Sequence, residues 1–295
     1  MLTFKTEKIT DRVTRIFAFA TELMYLVEGD NQAALLDTGS GLGSLKACVE
    51  QLTDKPVIVL VTHGHTDHAM GADEFDEIYM NHEDDYVYGP HGDMDFRRDG
   101  FDTLTEGLKY EESDIIPTAP LSKFRDLKEG DSFDLGGVHI DMYACPGHTK
   151  GSLVMLIREE RSILLGDACN NFTFVYDAYS TTISEYEESL KRLKKLTDGK
   201  FDTVYLSHGD GKAEPDIISD MIDLCEDIKA GRTDDLPMHF RGDDALIAQT
   251  PGPLGRANGK HGNIVYRKDR IFSGSVAGTS SGHSASSENR SPGRI

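Results

Sequence analysis

Val57-Ile58-Val59-Leu60-Val61-Thr62-His63-Gly64-His65-Thr66-Asp67-His68 runs from an unbroken apolar stretch straight into three histidines and a carboxylate. The Val and Ile content predicts a buried strand, and Gly64 breaks that strand and frees the backbone to turn. The polar residues therefore collect where a strand ends. His63 and His65, two apart in extended chain, can point the same way, whereas Asp67 and His68 fall where the helical-looking stretch 69–75 begins. One loop thus offers two sets of metal ligands. Imidazole nitrogen with carboxylate oxygen suits zinc first, and also iron, manganese or cobalt. Without clustered cysteines a closed structural zinc site is disfavoured, so the expected site is open, as catalysis requires. Four potential ligands within six positions, directly after a strand, are more than a chance grouping of polar loop residues supplies.

The pattern His63-x-His65-x-Asp67-His68 after a strand resembles the mark of the metallo-β-lactamase-fold hydrolases. The remaining ligand segments of that family find matches downstream. Pro146-Gly147-His148-Thr149 resembles the third-histidine segment, Leu165-Gly166-Asp167-Ala168 the bridging-aspartate segment, and Leu206-Ser207-His208-Gly209 the last-histidine segment. The resemblance covers the chain to about Phe272. It implies that His63, His65 and His148 hold one divalent ion, that Asp67, His68 and His208 hold a second, and that Asp167 bridges them. True β-lactamases of the fold lack a bridging aspartate there, so Asp167 makes the chain similar to glyoxalase II, lactonases and related ester or thioester hydrolases. Antibiotic hydrolysis is then at most a side activity.

Upstream of the metal loop, Val13 to Phe19 alternates apolar with polar or small residues, Met24-Tyr25-Leu26-Val27 follows, and Glu28-Gly29-Asp30-Asn31 turns into Ala33-Ala34-Leu35-Leu36, which predicts a hairpin. Asp37-Thr38-Gly39 closes the last strand, and the spacing of Leu42, Leu45, Val49 and Leu52 predicts a helix over 42–52. This order of strand, aspartate, helix, strand and histidine recurs. Leu164-Leu165-Gly166-Asp167 is followed by a predicted helix over 184–196 and by Thr203-Val204-Tyr205-Leu206-Ser207-His208. Alternating strands and helices imply sheets inside and helices outside, and the repetition implies two facing halves. The expected fold class is α/β, a four-layer αββα sandwich, as in the family. A hairpin over 133–142, a helix over 214–229 and a last strand over 263–267 complete the reading. One domain is expected over 1–272. Segment 83–127, aromatic-bearing and without a clean period, is read as an inserted active-site lid. Residues 273–295 turn to Gly, Ser and Ala and are read as a disordered or artificial tail, because they offer too little apolar surface to offset ordering entropy.

Composition bounds the partners. A formal charge of −20 over 295 residues disfavours nucleic acid, whose phosphates are held mainly by Lys and Arg. The N-terminal residues mix charged and apolar positions, so no signal peptide is read there, and no apolar run is long enough to cross a membrane. The four cysteines, Cys48, Cys145, Cys169 and Cys225, lack metal or redox spacing, which suits reduced thiols in the cytoplasm. The oligomeric state is left open.

Together these readings predict a dinuclear metal-dependent hydrolase that attacks a small ester, thioester or lactone with a metal-bridging hydroxide. Coordination lowers the pKa of water from about 16 towards about 7, so the nucleophile exists at neutral pH. Asp67 is expected to orient it or pass its proton to the leaving group, and Tyr176 is a candidate proton donor to the oxyanion. Phe172, Phe174 and Tyr179 are candidate pocket residues. Asp37 is read as a support for the metal loop or a turn-stabilising carboxylate. Cys169 and Cys145 are read as buried thiols, and His82, His91, His139, His239, His261 and His283 receive no role. A phosphodiester hydrolase on the same ligands is the alternative. A non-catalytic metal scaffold is the weaker one, since no ligand is missing, and the redox relatives carry an acidic residue where His65 stands.

Overall fold

The computed structural model describes residues 2–105, 108–240 and 242–274. The chain begins as a meander of β1 (Lys5–Lys8), β2 (Val13–Phe17), β3 (Leu23–Glu28) and β4 (Ala33–Leu36), each antiparallel to the one before. Helix α1 (Leu45–Leu52) crosses to β5 (Val57–Leu60), which lies parallel to β4. The helix starts at Leu45 rather than Leu42 because Ser44 Oγ accepts the Ala47 amide as an N-cap, and Gly41 and Gly43 precede it with positive φ. The short α2 (Thr66–Ala69) follows the strand, then β6 (Ile78–Met80), α3 (Asp85–His91), α4 (Met94–Leu104) and β7 (Phe124–Asp126), which complete a seven-stranded sheet in sequence order.

A second sheet starts with β8 (Ser132–Asp134), β9 (His139–Ala144), β10 (Leu153–Ile157) and β11 (Ser162–Leu164). The chain leaves it for β12 (Thr173–Val175), returns through α5 (Ile183–Thr197) to β13 (Thr203–Tyr205) parallel to β11, and adds β14 (Lys212–Ala213) as the sixth strand. After α6 (Ile217–Lys229), β15 (Leu236–Phe240), β16 (Asp243–Ile247) and β17 (Ile264–Tyr266) join β12 in a separate four-stranded sheet. Of this small sheet only β17 is legible in the sequence. Pro237 interrupts β15, and β16 opens on two exposed aspartates, so neither reads plainly as a strand.

The strand period of two sorts side chains into layers. Tyr25, Val27, Ala34, Leu36, Ile58 and Leu60 of the first sheet pack with Ile140, Met142, Leu153, Met155, Ile157 and Tyr205 of the second, which makes the central core. Their chain neighbours Met24, Leu26, Leu35 and Val59 turn outward onto Leu45 and Val49 of α1. On the other side Val154, Leu156, Ile163 and Val204 meet Ile183, Tyr186, Leu190 and Leu193 of α5 and Ile218, Met221, Leu224 and Cys225 of α6. Helix, sheet, sheet and helix stack in that order, the four-layer αββα sandwich.

Segment 83–127 is built into this body at both ends. Asp84 is fully buried and residues Phe124–Asp126 form the outer strand of the first sheet. α4 is tied down by Arg97, a fully buried side chain that donates to the carbonyls of Ser40, Gly41 and Ile116 and to Thr118 Oγ1. What lies over the site is α3 and α4, not a long excursion. The tail read over 273–295 falls, from residue 275 onward, outside the described residues.

Candidate metal centre

The loops of Asp37, His63 to His68, Asp167 and His208 leave the C-terminal ends of parallel strands, β4 and β5 in one half and β11 and β13 in the other, where open α/β sheets place their ligands, and the His148 loop leaves the antiparallel β9. Asp37, just after β4, is 1% exposed and has φ of 62°, and three donors hold it there. Its Oδ1 accepts the Thr62 amide at 2.7 Å, and its Oδ2 accepts Thr62 Oγ1 and His68 Nδ1, both at 2.8 Å. These bonds set tautomers. Thr62 spends its hydroxyl proton on Asp37, so its oxygen accepts from His63 Nδ1 at 3.1 Å, and the lone pair of His63 falls on Nε2. By the same logic His68 Nδ1 donates to Asp37, and His148 Nδ1 donates to the Phe174 carbonyl at 2.7 Å. All three rings turn Nε2 into the site.

The loops are stitched together by Asp84, whose Oδ2 accepts the Gly64 amide and Thr149 Oγ1 at 2.9 and 2.7 Å and whose Oδ1 accepts the Gly151 amide at 2.7 Å. One carboxylate thereby fixes the metal loop to the His148 loop. Sequence reasoning missed it, because Glu83-Asp84-Asp85 has the appearance of a solvated acidic run. The His208 loop is held from the opposite sheet. Tyr25 Oη donates to Leu206 O at 2.6 Å, the Leu23 amide to Ser207 O at 2.8 Å, and Arg15 to the carbonyls of Asp210 and Gly211.

These constraints gather all seven ligand positions read from the sequence into two groups, each with its donor atoms within 4.8 Å of one another: His63, His65 and His148, and Asp67, His68, Asp167 and His208. In the first, His65 Nδ1 lies 3.1 Å from His63 Nε2 and 2.8 Å from His148 Nε2. In the second, His208 Nε2 is 3.4 Å from Asp67 Oδ2 and 3.3 Å from Asp167 Oδ1, while His68 Nε2 is 3.4 Å from Asp67 Oδ2 and 3.6 Å from Asp167 Oδ2. Ligands about 2.1 Å from a tetrahedral ion sit about 3.4 Å apart, so the spacings fit a cation in each group. The buried Nε2 atoms of His65 and His68 have no hydrogen-bond partner, and in the first group the Nε2 lone pairs of His63 and His148 both face His65 Nδ1, which has at most one proton for the two of them. Residues of this kind fit a metal better than they fit each other.

The electrostatics of the groups differ. Burial, reinforced by the neighbouring histidines, holds His63 and His65 well below the ordinary imidazole value, so both are neutral ligands. Burial also acts to lower His68 and His208, but the carboxylates around them outweigh it; His68 is held well above its ordinary value and His208 is pushed up to about 10. Asp67 and Asp167 are driven well below the usual carboxylate range: burial opposes ionisation, and His68 and His208 prevail. Asp167 is further fixed by Asn170, whose Nδ2 donates to Oδ1 at 3.0 Å.

The site opens into a cavity of about 800 Å³ walled by Phe96 and Phe101 of α4, Phe172 and Phe174 beside β12, Tyr179, and Phe240 of the β15–β16 hairpin. Tyr176 lines it, 5% exposed. His91, given no role from sequence, lines it too and stacks on His65 with ring centroids 4.6 Å apart. A lone histidine at the end of a helix carries no pattern that could have shown this. Cys169 and Cys145 are fully buried, and burial raises both thiols above their ordinary value, so neither is a nucleophile.

An αββα sandwich with two donor groups at one open edge defines a metal-dependent hydrolase. Residues 21–208 match the metallo-beta-lactamase superfamily, and the chain belongs to that superfamily. Among curated relatives, the acyl-coenzyme A thioesterase MBLAC2 of Homo sapiens is 25% identical over 199 residues, which are 59% of this chain and 68% of the relative. The atrochrysone carboxyl ACP thioesterase of Aspergillus chevalieri is 27% identical over 192 residues, 60% of this chain and 53% of the relative. Among solved structures, a metallo-beta-lactamase from Pontibacter korlensis superposes with a TM-score of 0.53 at 16% identity, over 75% of this chain and 98% of the other. A variant of the sec-alkyl sulfatase PisA1 superposes with a TM-score of 0.59 at 12% identity, over 76% and 42%. The two structures support the fold alone. Among the described residues no helix is long and apolar enough to cross a membrane.

Proposed function

We propose that this chain hydrolyses an acyl thioester or ester at a dinuclear centre, with zinc as the first candidate and iron or manganese as alternatives. The observation that carries the dinuclear reading is the place of Asp167 Oδ2, 3.6 Å from His68 Nε2 of one group and 3.7 Å from His148 Nε2 of the other. A carboxylate oxygen between two ligand sets suits a shared ligand. His63, His65 and His148 would then hold one ion and Asp67, His68 and His208 the other, with Asp167 available to both. Divalent ions there would supply a nucleophile from water at neutral pH and polarise the acyl carbonyl.

The chain's own groups do the rest. Asp67, a third exposed at its side chain, is the ligand carboxylate most open to the cavity, and it takes the proton of the attacking water and delivers it to the leaving sulfur or oxygen. Tyr176 Oη donates to the carbonyl oxygen as charge develops there. The phenyl walls exclude bulk water and take up the acyl group, and the thioesterase names of the two curated relatives support an acyl substrate. Four unpaired cysteines suit a reducing compartment. Metal-reconstituted protein should hydrolyse members of a panel of thioesters, esters and lactones and lose that activity to a chelator. Turnover of phosphodiesters with none of acyl compounds would contradict the reading.

A further inference from the structure

The cavity's charge is lopsided. Among its described lining residues the carboxylates outside the two metal groups are Asp177 and Asp243, and the one lysine or arginine is Arg97. The four terminal N–H bonds of Arg97 go to the carbonyls of Ser40, Gly41 and Ile116 and to Thr118, and its side chain is fully buried, so it has no free fork for an anion. The other ready anion holder in this wall, the N-terminus of α4, is already capped by Asp93 Oδ1, which accepts the amides of Asp95 and Phe96. Asp243 is exposed at the hairpin mouth, and the whole chain carries a charge of −20. Arg241, at the hairpin tip, lies outside the described residues.

Resting on the acyl-hydrolase reading above, we infer that the substrate is a bulky apolar acyl group joined to an uncharged thiol or alcohol, and that coenzyme A and other phosphate-bearing carriers are discriminated against at the cavity mouth. Aromatic rings from α4, the β12 strand and the hairpin, with Phe174 and Phe240 at 5.4 Å between centroids, accept the apolar part. A phosphorylated carrier brings several negative charges past Asp243 with no described cation to receive them. One of the two water protons goes to the leaving thiolate, so a neutral thiol departs, and the other passes to solvent as the acid leaves as its carboxylate.

The test compares kcat/KM of the metal-loaded protein on one aryl-acyl group carried by coenzyme A, by N-acetylcysteamine and by a neutral alkyl thiol, at low and high salt. The neutral carriers are expected to lead coenzyme A by about tenfold or more at low salt, with the gap narrowing as salt rises. Asp243→Lys is expected to raise the coenzyme A value relative to the neutral ones. A coenzyme A thioester turned over as well as or better than the neutral forms at low salt overturns the inference while leaving the acyl-hydrolase reading in place. Turnover of none of the three overturns that reading, and the inference with it.

Discussion

The two halves of the sandwich use one supersecondary plan for two ends. In each, a strand ends in an aspartate, a helix crosses over, and a parallel strand ends near a histidine: β4, Asp37, α1, β5 and His63 in the first, β11, Asp167, α5, β13 and His208 in the second. Asp37 is 1% exposed and its lone pairs are consumed by Thr62 and His68. Asp167 is 9% exposed, receives one protein donor from Asn170, and turns Oδ2 towards His68 and His148. The same position thus yields a carboxylate that orients ligands and a carboxylate that can be one. Local sequence does not separate them, since Asp-Thr-Gly and Gly-Asp-Ala both read as strand ends; what separates them is whether donors from the loop beyond fill the oxygens.

The largest expected effect is on Asp167→Asn, which removes one of the few charges able to balance two dications. Turnover should fall at least about 100-fold, beyond the range typical of outer-sphere partners, with the circular dichroism spectrum unchanged. Near-normal turnover would erase the contrast between the aspartates. Tyr176→Phe, directly after β12, should lower kcat about 100-fold and leave KM and metal content alone. A change in KM alone would make Tyr176 a wall residue.

Asp37→Asn should act more gently and by another route. Its NH2 group replaces one of the two acceptor atoms, so either the Thr62 amide or the pair of Thr62 Oγ1 and His68 Nδ1 loses its acceptor; metal affinity should fall about 10- to 100-fold and be recovered in part by excess metal. Failure of excess metal to restore any turnover would place Asp37 beside Asp167 in role. Removing residues beyond Gly274 should shift neither the melting temperature nor turnover, since the tail has little apolar surface to bury. A drop of several degrees would show that it packs on the body.

Much of this site was legible because its signals are local. The ligands His63, His65, Asp67 and His68 follow one strand within six positions, and the apolar runs of β3, β4 and β5 read as strands whose successive side chains pack into two layers. What stayed hidden depends on contacts across long sequence gaps. Asp84 acts on Gly64, 20 residues away, and on Gly151, 67 away, and nothing about an Asp between two acidic neighbours announces that. His91 reaches His65 only because α3 folds back over the metal loop. In the β15–β16 hairpin Pro237 and the two opening aspartates of β16 mask the strand signal, and the pairing lies in backbone bonds that composition does not reveal.

The central claim is that Asp167 joins two occupied metal groups, and metal content per chain tests it most directly. Wild-type protein stripped of metal, reloaded with zinc to saturation and passed through a desalting column should carry about two ions per chain by mass spectrometry, and Asp167→Asn about one or fewer under the same conditions. One ion per wild-type chain at saturating zinc, or two in both proteins, would contradict the account.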